Sequence, residues 1–123
     1  MTTGAALSVF AVQAVENVFV VSPQGDSGGF RYNDIHRETN TITDRLQRDQ
    51  VTNLLIDFSD VEIVGSVMIS AIIKIVRQHG TRKGSAAFCG ASPTMLDVLQ
   101  TMNLTRLWPC FDSREEAFKS FEG

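Results

Sequence analysis

Leu54-Leu55-Ile56-Asp57-Phe58-Ser59-Asp60-Val61-Glu62-Ile63-Val64-Gly65-Ser66 carries the change of pattern that decides the fold. Val51 to Phe58 holds a continuous apolar run bounded by polar residues, as in a strand covered on both faces. Ser59-Asp60 reads as a turn, and Val61 to Val64 is short and apolar. Gly65-Ser66 then opens a segment that reads as a helix to about His79, with Gly80 placed as its C′ residue.

Working upstream, Ile35, Thr39, Ile42 and Leu46 recur at spacings of three and four and predict a helix from about Asp34 to Arg48. Pro23 to Gly29 is a breaker cluster and must be a loop. Before it, Leu7 to Val15 and Phe19 to Val21 read as strands joined by a hairpin turn at Glu16-Asn17. Downstream, Ser85 to Cys89 is the next strand. Ser92 as N-cap and Pro93 at N1 start a helix running to about Met102. Leu107 to Phe111 reads as a short strand, and Ser113-x-x-Glu116 is a capping-box spacing that opens a last helix to Phe121. Strands followed by β–α alternation indicate an α/β domain built on one mixed sheet.

The chain has 123 residues, 43% of them apolar and 20% charged, as expected of one soluble domain, and its net charge is −3. Its basic residues are scattered, so it lacks the clustered Lys and Arg that phosphate neutralisation requires, and no nucleic-acid partner is expected. No run approaches the roughly 20 apolar residues of a membrane span, and Met1 to Ser8 lacks the positive start of a signal peptide. A cytoplasmic protein with no membrane partner is expected. Cys89 and Cys110 form no ligand-like spacing with His36 or His79, and Cys89 reads as a small core residue.

On a helical wheel advancing about 100° per residue, Ser66, Ser70, Lys74 and Arg77 fall within one quadrant and apolar residues take most of the remainder. A helix laid on a sheet needs an apolar stripe of only about 100°. Here Val67, Ile69 and Ile73 border the narrow polar strip. Either neighbouring elements flank this helix closely or part of its rim is a docking surface. Ser66 likewise has two compatible readings. Its hydroxyl could cap the first turn, or it could be a phosphorylation site, where the helix dipole would favour the added charge and a partner surface built for a hydroxyl would not.

Asp57-Phe58-Ser59-Asp60-Val61-Glu62-Ile63-Val64-Gly65-Ser66 resembles the STAS-domain run Asp-Leu-Ser-x-Val-x-Phe-Ile-Asp-Ser, which leads into that family's central helix. Ser92-Pro93, Leu96, Val98-Leu99, Leu104, Leu107-Trp108-Pro109, Phe111-Asp112-Ser113 and Glu115-Glu116-Ala117 resemble its carboxyl-terminal signature. The resemblance runs from about Leu54 to Phe121. It implies a single STAS-like domain over residues 1–123, with a mixed sheet of four to five strands and about four helices. It further implies an anti-sigma-factor antagonist: a protein that binds an anti-sigma factor which is a serine kinase of the histidine-kinase-like ATPase type. In that family the kinase phosphorylates the serine at the start of the central helix, which ends the complex, and a phosphatase restores it. Ser66 matches that serine by position, and Gly65, Ser66, Val67, Ile69, Ser70 and Ile73 are the partner-binding residues it implies. No cofactor or metal is implied, and a monomer or weak homodimer is expected.

Two departures from the family pattern bear on the site. Gly65 stands where the family has aspartate, and Val67-Met68-Ile69-Ser70 stands for Ser/Thr-Gly-Leu-Gly. Side chains at Met68 and Ser70 are expected to limit the close backbone approach that glycines permit. These departures favour an alternative, a STAS adaptor or ligand-binding module that works without a phosphoswitch. The glycine-rich Gly25 to Gly29 loop replaces a compact turn, as either a tolerated insertion or a partner-contacting lip.

Enzyme readings find less support. His79 lies about 20 Å along the helix from Ser66 at 1.5 Å per residue, so it cannot serve Ser66 as a base. His36 could approach in space, but Gly65-Ser66-Val67 lacks the Gly-x-Ser-x-Gly elbow of a serine hydrolase. Asp57, Asp60 and Glu62 read as a solvated turn at a strand end, with no His, Cys or Asn to complete a metal set. The Gly25 to Gly29 stretch lacks the lysine and helix start of a phosphate loop.

Overall fold

The computed structural model describes residues 9–24, 32–48, 52–80 and 85–122. Gly25 to Gly29 of the expected loop and the start of the first expected strand lie outside them; Pro23, expected in that loop, is the last residue of a strand.

Strands β1 (Phe10–Val15), β2 (Val18–Pro23), β3 (Asn53–Asp57), β4 (Ser85–Cys89) and β5 (Cys110–Phe111) form one sheet in the order β1-β2-β3-β4-β5. β1 pairs antiparallel with β2, and every later pairing is parallel. The helices are α1 (Tyr32–Arg48), α2 (Ser66–Gly80), α3 (Pro93–Thr101), α4 (Leu104–Leu107) and α5 (Arg114–Glu122). The mixed α/β sheet is as expected, with five helices among the described residues where about four were anticipated. The added one is α4. It occupies the start of the expected Leu107 to Phe111 strand, because Asn103 turns the chain through a left-handed conformation (φ +61°) and only Cys110–Phe111 is left to pair with β4.

The strand order explains the layering. Parallel strands added successively on one side, each through a right-handed crossover, place every connecting helix on the same face. Accordingly Phe19, Val21, Leu54, Ile56 and Phe88 pack in one large core with Ile42 of α1, Ile72 and Ile75 of α2 and Met95 and Leu99 of α3. The opposite face carries Val18, Val20, Leu55, Ala87 and Cys89, which pack with Ala117, Phe118 and Phe121 of α5. β3 is buried on both sides throughout, which is why its centre, Leu54-Leu55-Ile56, is a continuous apolar run.

Two helix starts follow their sequence signals. The Ser92 hydroxyl accepts from the Met95 N–H (3.0 Å) and Pro93 stands at the first helical turn. Ser113 caps α5, its hydroxyl accepting from the Glu116 N–H (3.2 Å). Glu116 returns a bond to the N–H of Asp112 (3.4 Å), so the expected reciprocal box closes one residue early. Gly80 is the last residue of α2 and not its C′ residue.

Candidate functional site

The segment 58–65 carries the chain from the end of β3 to the start of α2, and it is pinned along its length. Phe58, Val61 and Val64 are buried in the main core. The Phe58 N–H donates to the Cys89 carbonyl (2.9 Å) and the Val61 N–H to the Phe58 carbonyl (3.1 Å). The Ser92 hydroxyl donates to the Glu62 carbonyl (2.6 Å), so the cap of α3 also holds this segment. The burial pattern leaves Ile63 outside, 45% exposed.

Below this segment lies a buried carboxylate. Asp57, at the end of β3, is 4% exposed. Its Oδ1 accepts from the Ser59 N–H (2.9 Å) and hydroxyl (2.6 Å), and its Oδ2 from Arg114 Nε (3.0 Å) and Nη2 (2.7 Å). Burial pushes the Asp57 pKa up, but the hydrogen bonds from Ser59 and Arg114 outweigh it and hold the carboxyl below its ordinary value. Gly90 borders this cluster with φ +71°; a Cβ there would run into the Ser59 hydroxyl and lie 2.9 Å from Asp57 Oδ1. Asp57 is thus a structural tie between β3, the turn and α5. Among the described residues no His, Cys, Asp and Glu cluster suited to a metal ion occurs.

The helix begins one residue earlier than a Ser66 cap would require. The Gly65 carbonyl accepts from the Ile69 N–H (2.9 Å), which makes Gly65 the N-cap and Ser66 the first helical residue. Ser66 is exposed, and no hydrogen bond from a described residue engages its hydroxyl. The capping reading of Ser66 is therefore corrected: its hydroxyl faces outward and does no local work. A Cβ at Gly65 would meet nothing within 4 Å, so that position is open to the aspartate the family carries there.

Along α2, Met68, Ala71, Ile72, Ile75 and Val76 point into the core, and Ser66, Ser70, Lys74 and Arg77 form the exposed strip. Val67 is 41% exposed, and Ile69 and Ile73 are half-buried beside the strip. The first alternative for the rim, close flanking by a neighbouring element, holds in part. One border is flanked by α1, through Lys74 Nζ donating to Asn40 Oδ1 (3.2 Å) and Gln47 Nε2 to Gln78 Oε1 (3.3 Å). Between the two helices runs a groove of about 280 Å³ lined by Ile35, His36, Thr39, Val67, Ser70 and Lys74. Around Ser66 itself, Ile63 and Val67 remain uncovered. Met68 is 2% exposed, so it fills the core and does not crowd the surface as its side chain was expected to; of Met68 and Ser70, only Ser70 projects outward.

His79 is buried at the far end of α2, with Nε2 at 3.1 Å from the Thr52 carbonyl. His36 lines the inter-helix groove. Sequence reasoning missed Arg114 and Ser92 as supports of the site, since each acts on residues far away in the chain. The glycine directly after β4 was the visible sign that something must approach closely there.

The chain matches the STAS domain over residues 10–117. It belongs to the STAS family. No curated protein sequence matches it. Among solved structures it is similar to TM1081 of Thermotoga maritima, at 20% identity and a TM-score of 0.79, over 93% of this chain and 95% of that one. It is also similar to an anti-sigma-factor antagonist (STAS) domain protein of Planctomyces limnophilus, at 24% identity and a TM-score of 0.76, over 93% and 98%. A third similar structure is the unphosphorylated form of the anti-sigma factor antagonist SpoIIAA, at 18% identity and 0.76, over 93% and 96%; the phosphorylated form of that Bacillus protein scores 0.70. At these identities the likeness is one of fold. Among the described residues no helix is long and apolar enough to cross a membrane.

Proposed function

We propose that this STAS protein is a non-catalytic, cytoplasmic regulator of the anti-sigma-factor antagonist type. It docks through the surface around Ser66 onto an anti-sigma factor that is a serine kinase of the histidine-kinase-like ATPase type. Phosphorylation of Ser66 ends the complex, and a phosphatase restores it. The carrying observation is the state of Ser66: an exposed first-turn hydroxyl without a local partner, beside the uncovered side chains of Ile63 and Val67. A phosphate there would be stabilised by the free amides and dipole of the first turn of α2. The same two negative charges would desolvate at high cost against an apolar partner surface. Val67, Ile69 and Ile73 would supply the apolar contact, with Gly65 and Ser70 at its margin. That SpoIIAA has a phosphorylated form supports the reading.

The test is binding to the candidate kinase by titration calorimetry. Ser66→Ala is expected to bind like the wild type, and Ser66→Asp to weaken binding by tenfold or more, about 1.4 kcal/mol. Equal binding by the two variants would sink the switch. The constitutive adaptor is the second reading, favoured by Ser70 projecting where the family has glycine. It would be supported by intact-mass spectrometry of the protein from its native cells showing an unphosphorylated chain with a stably bound partner.

A further inference from the structure

Among the described residues β1 is an edge strand with nothing paired on its outer side, and its pairing with β2 fixes which groups point there. The two-residue turn Glu16-Asn17 makes Val15 and Val18 the closing hydrogen-bonded pair. Hydrogen-bonded and non-bonded pairs then alternate along the ladder. Two observations agree with that phase. Pro23, which has no N–H, stands opposite Phe10 in a non-bonded pair, and the Gln24 N–H donates to the Val9 carbonyl (2.9 Å). The backbone groups of Phe10, Val12 and Ala14 therefore point away from the sheet. The Phe10 N–H is taken by Glu38 of α1 (3.1 Å). Val12 and Ala14 are left with outward N–H and C=O groups that no described residue meets.

Proteins guard such edges with charges, prolines or bulges. β1 has none of these: its sequence is Phe-Ala-Val-Gln-Ala-Val, with Ala11, Gln13 and Ala14 exposed. An isologous contact sets a strand against its own sequence, so any charge on it would meet its own copy. β1 itself carries no charge, and its exposed side chains are Ala11, Ala14 and Gln13. Gln13 Oε1 accepts from Arg114 Nη1 (3.3 Å), but that guanidinium is already paired with Asp57, so the strand still suits that contact. The geometry points to a second copy of this chain as the occupant, paired antiparallel through β1 about a two-fold axis at Gln13. In that register Val12 of each copy exchanges both of its backbone bonds with Ala14 of the other. The Glu38-capped end is not called upon, and the two sheets become one. This surface is separate from the Ser66 rim and is independent of the function proposed for it.

The register sets the experiment. Gln13 faces Gln13 of the other copy in a non-bonded pair, with Cα atoms about 4.5 Å apart, within disulfide range. Ala11 faces Val15, and the two Ala11 residues stand about 14 Å apart at about 3.4 Å per residue. On mild oxidation of the full chain, Gln13→Cys is expected to give a disulfide-linked dimer, whereas Ala11→Cys and the wild type with its native Cys89 and Cys110 are not. In sedimentation equilibrium the wild type should approach twice the 13.5 kDa chain mass with rising concentration. Ala14→Pro, which removes only an outward N–H, should remain monomeric with an unchanged circular dichroism spectrum. Should that variant misfold, Ala14→Lys gives the same readout at an exposed side chain. The proposal is overturned by a wild type that stays monomeric, by a dimer that survives Ala14→Lys, or by equal cross-linking at positions 11 and 13. A monomer whose Val12 and Ala14 amides resist hydrogen exchange would overturn it too, by placing another segment of the chain on the edge.

Discussion

Asp57 ties the end of β3 to the turn at Ser59 and to Arg114 at the start of α5. A carboxylate 4% exposed is tolerable only because Arg114 and Ser59 fill its lone pairs. Arg114→Ala leaves the charge to Ser59 alone. With the arginine itself 38% exposed, the loss is expected to be about 1–2 kcal/mol in urea unfolding, below that of a fully buried pair. The pH dependence has a definite sign. The folded carboxyl has a pKa below its ordinary 3.8, so its stabilisation is present above that value and is lost as pH falls through 3.8 and then through the folded pKa. The stability gap between wild type and Asp57→Asn should accordingly narrow between pH 7 and pH 3; an unchanged gap would show that ionisation is not what holds the cluster. Gly90 is the third member. Gly90→Ala has to accept φ +71°, about 1–2 kcal/mol for an L residue, and to displace the Ser59 hydroxyl. A total loss of about 2–3 kcal/mol is expected in the same assay.

The elements that present Ser66 are held by unlike means, and they differ in how far they could be read from sequence. Ser92 both caps α3 and donates to the Glu62 carbonyl, so one hydroxyl fixes a helix start and the approach to α2. Ser92→Ala is expected to cost about 1–2 kcal/mol and to speed amide exchange in residues 62–66, whereas loss of a cap alone would leave those amides unchanged. Periodicity made α1, α2 and the apolar β3 legible, since each repeats its pattern over several turns or is buried throughout. Ser92 and Ser113 were legible as caps because capping is a local act. The polar ties were not: Asp57 and Arg114 are 57 positions apart, Ser92 and Glu62 are 30 apart. Glu38 is the sharpest case. It lies three residues after Ile35 on the buried stripe of α1, fully enclosed, and its carboxylate accepts from the Val9 (2.9 Å) and Phe10 (3.1 Å) N–H groups. A charged residue inside an apolar stripe was the signal, but its partners lie on another element. α4 escaped because four helical residues set up no period.

At the scale of the whole molecule, the sheet's two faces are covered unequally, and this follows from its topology. Three crossovers deliver helices to one face; among the described residues α5 is the only helix on the other, where it covers Val20, Leu55, Ala87 and Cys89. A nine-residue helix tied down by Arg114 and a few aromatic contacts should open at lower free energy than the large core. Cys89 reports on that event. It is fully buried, and burial, aided by the nearby Asp57 charge, pushes its pKa up to about 12, so it is inert to thiol reagents until α5 lifts. In a Cys110→Ser background Cys89 is the one remaining thiol. Labelling should then proceed under native conditions through this partial opening. Arg114→Ala should speed it about tenfold, the factor equivalent to 1.4 kcal/mol. Met68→Ala, a cavity in the opposite core expected to cost about 2–5 kcal/mol of global stability, should leave the labelling rate nearly unchanged. If Met68→Ala accelerates labelling in proportion to its global destabilisation, then α5 opens only with the whole domain. The two faces would then be one cooperative unit despite their unequal cover.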